Sequence, residues 1–448
     1  MPAFRRTPFL RAVAAGVAAA GTLTVAAVTG PVAGASTGAS GASRVTAAAR
    51  GPAGPVFDCL TLVSRACYSP QQFRTAYGIE PLTRRGITGR GETVVMPEFA
   101  ATPGESGATD VRQDLARYDR VFGLPAAHLR VITTLAPGAS PFQALGEYTG
   151  DVEIVHAIAP RAAIRVILIP ADVSLALGVR DFVAALRMAP SLGSVLSITQ
   201  GVLNENCLTS AQVATLHSAL RRDRERHVTV AVAAGDFGAE GQPCIATPTP
   251  GRAVVFPASD PLALAVGGTS LDASHRTGAY IGETVWNRPG SGLPGVVASG
   301  GGFSRDFARP VYQAHVPGIG ARRGVPDVAS DADPDTGIAC VEAGDGQFGI
   351  FAAGGTSAGA PVWAGIVAMA DQYAGRHLGF INPAIYAIGR SARYHRAFHD
   401  VTKGSNTVQV GSVTVKGFDA GPAWDPVTGW GSPNARVLIP LLARYVAG

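Results

Sequence analysis

The 448-residue chain has no long basic run and no internal repeat of fixed period, and after residue 28 it has no apolar stretch long enough to cross a membrane. Only 15% of its residues are charged, and the formal net charge is +5. These absences argue against an electrostatic nucleic-acid binder, a repeat array and a polytopic membrane protein. The densest charge cluster, Arg221-Arg222-Asp223-Arg224-Glu225-Arg226, mixes signs and reads as a solvated helix end. Cysteine is scarce as well, at five residues: Cys59, Cys67, Cys207, Cys244 and Cys340.

The first residues carry a different pattern. Arg5, Arg6 and Arg11 precede a charge-free run from Ala12 to Val28, and Ala33-Gly34-Ala35 offers a small-residue cleavage site before Ser36. This is the layout of a secretory signal peptide over 1–35. Residues 36–58, rich in Ala, Gly, Ser and Thr, read as a flexible linker or short propeptide ahead of a domain over 59–448. Export permits disulfides. Cys59 with Cys67 and Cys207 with Cys244 are the expected pairs, leaving Cys340 as a buried, inert thiol.

Along the domain, apolar strands alternate with helices. Strands are expected at 91–99, 163–169, 194–199 and 228–234, and helices at 110–121 and 210–226. That alternation predicts an α/β fold with a mostly parallel central sheet covered by helices on both faces. The region from Phe398 onward is loop-rich and closes with a helix at 434–446.

Four stretches could carry chemistry. Gly354-Gly355-Thr356-Ser357-Ala358-Gly359-Ala360-Pro361 precedes an apolar run and reads as a tight loop entering a helix, with Pro361 in its first turn. Backbone around Ser357 is bare, and a helix N-terminus there would stabilise developing negative charge. The same residues also read as a glycine-rich turn packing a core helix. Ser270, in a second Gly-Gly-Thr-Ser, is followed by a polar turn and lacks the helix.

The second stretch is Gly146-Glu147-Tyr148-Thr149-Gly150-Asp151. Glu147 and Asp151 are four apart, so on a helix they share a face. Two nearby carboxylates in a dry site resist double ionisation and titrate jointly, and such a pair serves as a base in acid, where histidine is already protonated. An ordinary solvated acidic helix face reads the same way. Third, Asp236 follows the apolar strand Val228–Ala234 in a Gly-flanked turn, where α/β sheets place their sites. Protonated, it would donate a hydrogen bond to an oxyanion; alternatively it bonds its own turn. Fourth, Asp400 and Asp425 lie in Gly/Pro-rich loops whose free carbonyls suit a hard cation such as Ca²⁺.

Taken in order, these stretches resemble the sedolisin family of serine-carboxyl peptidases, which have a subtilisin-like fold. The likeness runs over about residues 68 to 446. Besides the four stretches it includes Phe256-Pro257-Ala258-Ser259-Asp260-Pro261, Val285-Trp286-Asn287, Gly300-Gly301-Gly302-Phe303-Ser304 and Arg323-Gly324-Val325-Pro326-Asp327-Val328-Ala329. The resemblance implies Ser357 as nucleophile, Glu147 as its base, Asp151 as the supporting carboxylate and Asp236 as oxyanion acid. It implies one Ca²⁺ held by Asp400 and Asp425 side chains and the carbonyls of Val401, Gly421 and Ala423. A secreted monomer acting on proteins or peptides in acid is the resulting expectation, with no nucleic-acid partner and no lasting membrane contact.

The chain departs from the family pattern at Phe237 (usually Ser), Gln200 (usually Trp) and Ala423 (usually Gly). Only about thirty residues precede Tyr68 after the expected cleavage, where the family usually carries a large prodomain. A non-catalytic binding protein on the same fold, and an esterase using His395 or His399 with the Gly-x-Ser-x-Gly pattern, are the alternative readings.

Overall fold

The computed structural model describes residues 67–101, 108–133, 142–144, 146–170, 175–200, 203–241, 251–288, 297–344 and 347–445. The expected signal peptide, the linker, Cys59 and Cys244 lie outside these residues. Eight strands form the main sheet: β1 (Thr93–Phe99), β2 (His128–Thr133), β3 (Ala163–Ile169), β4 (Val195–Ile198), β5 (Thr229–Ala233), β6 (Leu264–Ala273), β7 (Tyr280–Val285) and β8 (Val328–Asp331). Their order is β7-β6-β5-β4-β1-β3-β2, with β8 alongside β6. Every pairing is parallel except that of β6 with β7. Runs such as Val94-Val95-Met96 and Val230-Ala231-Val232-Ala233 are buried throughout, as strands covered on both faces require.

Helices supply the cover. In chain order those of seven residues or more are α1 (Pro70–Ala76), α2 (Val111–Phe122), α3 (Gly146–Ile158), α4 (Leu175–Met188), α5 (Ser210–Glu225), α6 (Thr356–Ala374), α7 (Asn382–Gly389) and α8 (Ala435–Arg444). Start signals are satisfied locally: Ser69 and Thr209 each close a capping box with the glutamine three residues on, and Asp110 caps α2. One apolar cluster joins α3, α6 and α8 to Val94, Ile164 and Val166, and a second joins Phe182, Leu186, Leu216 and Leu220 to Val95, Leu196 and Val230. The sheet is therefore the middle layer of three. Among the described residues, no helix is long and apolar enough to cross a membrane.

Helix α6 crosses the sheet through the core, and its Trp363 Nε1–H donates to the Ala329 carbonyl at 3.0 Å. The helix begins at Thr356, so Pro361 lies inside it rather than in its first turn. This corrects the sequence expectation. Gly355, at φ +81°, makes the entry turn that places Ser357 already in the first turn. Pro361 lacks the N–H that would bond the carbonyl four residues back, which is that of Ser357.

Two of these helices set the site. Gly365 of α6 meets α3 so closely that a Cβ there would stand 2.7 Å from Ile158 Cβ. A valine at 365 is therefore expected to force α3 and α6 apart. The Gly365→Val variant should lose about 1–3 kcal/mol of stability in urea unfolding; unchanged stability would show that the contact is slack.

Candidate active site

Three strand ends and two helix starts converge. Glu98 is the penultimate residue of β1 and β4 runs into Thr199, while Asp236 follows β5. α3 brings Glu147 and Asp151, and α6 brings Ser357. This is the carboxyl edge of a parallel sheet, where α/β folds place their sites.

Asp236 is held by α6 itself. Its Oδ1 accepts from both the N–H and the hydroxyl of Thr356, each at 2.7 Å, and Thr356 Oγ1 in turn accepts from the Gly235 N–H at 3.0 Å. Its Oδ2 lies over Gly355, where any Cβ would come within 2.7 Å. Gly355 is thus required twice, by its positive φ and by this carboxyl. Burial raises the Asp236 pKa, while the Thr356 bonds oppose that rise.

Glu147 and Asp151 lie one turn apart on α3 as the spacing predicts. Burial pushes Glu147 up to about 7, and the Ser357 hydroxyl, close enough to stabilise the carboxylate, draws it down. The charge of Asp236 adds to the rise. Asp151 is raised well above its ordinary value by burial first and by Glu147 second, although Thr199 Oγ1 donates to its Oδ2 at 2.5 Å. The structure therefore gathers Ser357, Glu147, Asp151 and Asp236 in one place.

The sequence reading missed Glu98. This side chain is wholly buried at the end of β1, with its pKa raised by burial and then by Asp151 and Glu147. Neither of its oxygens accepts an N–H or O–H from a described residue. Its contact with Asp151 therefore joins two carboxyl groups, which must share a proton. A lone glutamate in an otherwise apolar strand, Val94-Val95-Met96-Pro97-Glu98-Phe99, was the available signal. Beside it, Gln200 Oε1 accepts the Phe99 N–H at 2.8 Å, tying β1 to the end of β4. Phe237, half-buried, adjoins Asp236 and bridges Ala298 through its backbone.

Neither candidate histidine is joined to Ser357. His399 stacks on Tyr280 with ring centroids 3.7 Å apart, and burial lowers its pKa to about 4. His395 packs against Tyr394. Ser270 lies within β6 and donates to Asp333. Cys340 is a buried free thiol, and Cys67 and Cys207 are disulfide-bonded.

In the C-terminal loops, Asp400 Oδ2 accepts from the Ala423 N–H and Asp425 Oδ2 from the Gly421 N–H, both at 3.2 Å. Asp400 Oδ1 is buried without a well-formed hydrogen bond, although the Tyr394 hydroxyl lies beside the Asp400 carboxyl, and burial pushes Asp425 up to about 6. Ala423 adopts φ +64°, which explains a preference for glycine there. A buried, unsatisfied carboxylate oxygen beside a second carboxylate and turn carbonyls fits a hard cation. Among the described residues, no three His, Cys, Asp or Glu side chains form a metal-holding group, so most ligands here would be carbonyls.

Comparison with known proteins gives a consistent picture. No family model matches the chain. Kumamolisin from a Bacillus species is 34% identical over 393 residues, covering 84% of this chain and 64% of kumamolisin. Tripeptidyl-peptidase 1 of Macaca fascicularis is 30% identical over 352 residues, covering 73% of this chain and 57% of that protein. The chain thus spans somewhat over half the length of the curated relatives it matches. A solved structure of Pseudomonas sedolisin, a serine-carboxyl proteinase complexed with two molecules of pseudo-iodotyrostatin, superposes with a TM-score of 0.69 at 26% identity. It covers 84% of this chain and 98% of that one.

The carboxyl cluster predicts how stability depends on pH. Glu98, Glu147, Asp151 and Asp236 all have pKa values raised by burial, so the fold binds their protons more tightly than the unfolded chain does. Their contribution is complete below the ordinary values of 3.8 and 4.5 and is lost as pH rises through the raised ones, about 7 for Glu147. The Tm is expected to fall between about pH 5 and about pH 8, and less steeply in Glu98→Gln. A flat or rising Tm would mean that these groups ionise without cost.

Proposed function

The chain belongs to the sedolisin family of serine-carboxyl peptidases, and on that premise we propose that it is a secreted, acid-active peptidase acting through an acyl-enzyme on Ser357. One observation carries this reading: the carboxyls of Glu98, Asp151 and Glu147 cluster against a serine in the first turn of a helix, with Asp236 held by the threonine that precedes that serine.

In the proposed mechanism Glu147 is the base. Ser357 Oγ attacks the peptide carbonyl carbon as its proton passes to Glu147. The carbonyl oxygen becomes an oxyanion, which receives hydrogen bonds from protonated Asp236 Oδ2 and from the Ser357 N–H, a first-turn group with no intrahelical acceptor. Glu147 then gives its proton to the leaving amine nitrogen as the C–N bond breaks, and water repeats the sequence to release the acid. Asp151, steadied by Thr199 and sharing a proton with Glu98, supports Glu147 through these changes. The low dielectric that raises every pKa also strengthens each of these interactions.

Acid operation follows from the two opposing demands. Asp236 must keep its proton to serve the oxyanion, which sets the alkaline limit. Glu147 and Asp151 titrate jointly, so the pair need lose only one proton for Glu147 to accept that of Ser357, and this first loss sets the acid limit. One similar protein is titled a serine-carboxyl proteinase and another is named a tripeptidyl-peptidase, and cleavage within a chain or near its end both fit this chemistry.

Hydrolysis of a denatured protein, followed from about pH 3 to about pH 8, tests the proposal. Wild type should act only on the acid side, and Ser357→Ala or Glu147→Gln should each cost about 10⁴-fold or more in kcat/KM. Activity retained by Glu147→Gln would remove Glu147 as the base, and an optimum near neutrality would remove the carboxyl mechanism.

Calcium is proposed at the Asp400/Asp425 loops, with Val401, Gly421 and Ala423 supplying carbonyls. There it would bridge the last loops to α8 and supply stability rather than chemistry. Chelation should lower the Tm by on the order of 5 °C, an effect absent in Asp425→Asn. No shift in wild type would refute the site.

A further inference from the structure

A hairpin flanks the catalytic helix. It is formed by β9 (Ala339–Gly344) and β10 (Gln347–Ala352), paired with Cys340 opposite Phe351 and Glu342 opposite Gly349. Cys340, Glu342 and Phe351 share one face, and that face packs on α3 where the helix has no side chains. A Cβ on Gly146 would stand 3.4 Å from Glu342 Oε2, and one on Gly150 would stand 3.6 Å from the Phe351 ring. Glu147 and Asp151 are the next residues along, about 100° further round the helix. The Glu342 carboxylate therefore borders the catalytic face at the N-terminal end of α3.

Glu342 is half-buried, and among the described residues no hydrogen bond or ion pair engages it. Its strand partner is Gly349, so no side chain covers it from that position. The neighbouring N–H groups of β9 are already satisfied by other carboxylates: Val341 donates to Glu153 and Ala343 to Asp114. Glu342 takes no part in this edge cover. The groups facing it are Asp114 from α2, Glu153 from α3 and Cys340 from its own strand. Burial and the Asp114 charge raise its pKa to about 7, so an arriving cation would relieve both penalties.

Resting on the peptidase reading above, we propose that Glu342 is a specificity-determining residue that selects a basic side chain, lysine or arginine, in the leaving-group half of the substrate. Glu147 must hand a proton to the leaving amine, so the residue bearing that amine passes the end of α3. A cationic side chain on it, or on the residue after it, reaches Glu342. An ammonium or guanidinium there replaces water at a carboxylate that has no cation of its own.

The test is cleavage of a randomised peptide library, with product ends read by mass spectrometry. Wild type should show lysine and arginine enriched about fivefold at the first or second position after the cut bond, the size expected of a partly exposed ion pair. Glu342→Gln should remove the enrichment, and Glu342→Lys should replace it with aspartate and glutamate, an exchange that a misfolded protein does not produce. Cleavage by wild type without basic enrichment, or enrichment that persists in Glu342→Gln, overturns this inference alone. No cleavage by wild type overturns the peptidase reading and this inference with it.

Discussion

Everything at the centre of this protein depends on keeping several carboxyl groups in one dry place. An isolated ionised carboxylate is costly to bury, and several close together are costlier still. The cost is met by leaving most of them protonated. Glu98 and Asp151 share a proton, Glu147 lies one turn away, and the hydroxyls of Thr199 and Ser357 stabilise Asp151 and Glu147 respectively. The arrangement is most stable where protons are plentiful, and those same conditions keep Asp236 protonated.

The scaffold exists to hold that cluster in register. Glu98 and Asp151 are far apart in the chain, and the parallel order of β1 beside β4 brings the end of one strand and the start of the next loop onto α3. The closeness of α3 to α6 rests on Gly365, and the closeness of Asp236 to the Ser357 turn rests on Gly355. Glycine at these points is a matter of distance as much as of flexibility. The hairpin beside α3 uses the same device, since Gly146 and Gly150 admit Glu342 and Phe351 against the helix.

Departures from the family pattern read differently once placed. Ala423 keeps the left-handed backbone that glycine would adopt there, at some cost, with its carbonyl still in the loop. Gln200 turns its amide oxygen to the Phe99 N–H, so the position braces the strand ends around Glu98 by a polar contact rather than by a large ring. Phe237 sets an aromatic side chain directly after Asp236.

Much of this was legible beforehand, because local rules govern it. Buried strands announce themselves as continuous apolar runs: 163–169 matched to the residue, and the others shifted by one or two. Ser69 and Asp110 mark helix starts by chemistry that acts within three residues. The four-residue spacing of Glu147 and Asp151 determines that they share a face whatever the rest of the chain does. Spacing alone left open whether that face meets water or the core, and the sheet and α6 decided it. Glu98 stayed hidden because its meaning lies in which strand stands next to it, and strand order is a long-range property. Pro361 was misplaced for the same reason: packing against the whole sheet holds α6 together through a proline that local propensity would put at its start. Glu342 became meaningful only through two glycines on another element, since what a side chain can reach is a distance, and the sequence by itself contains none.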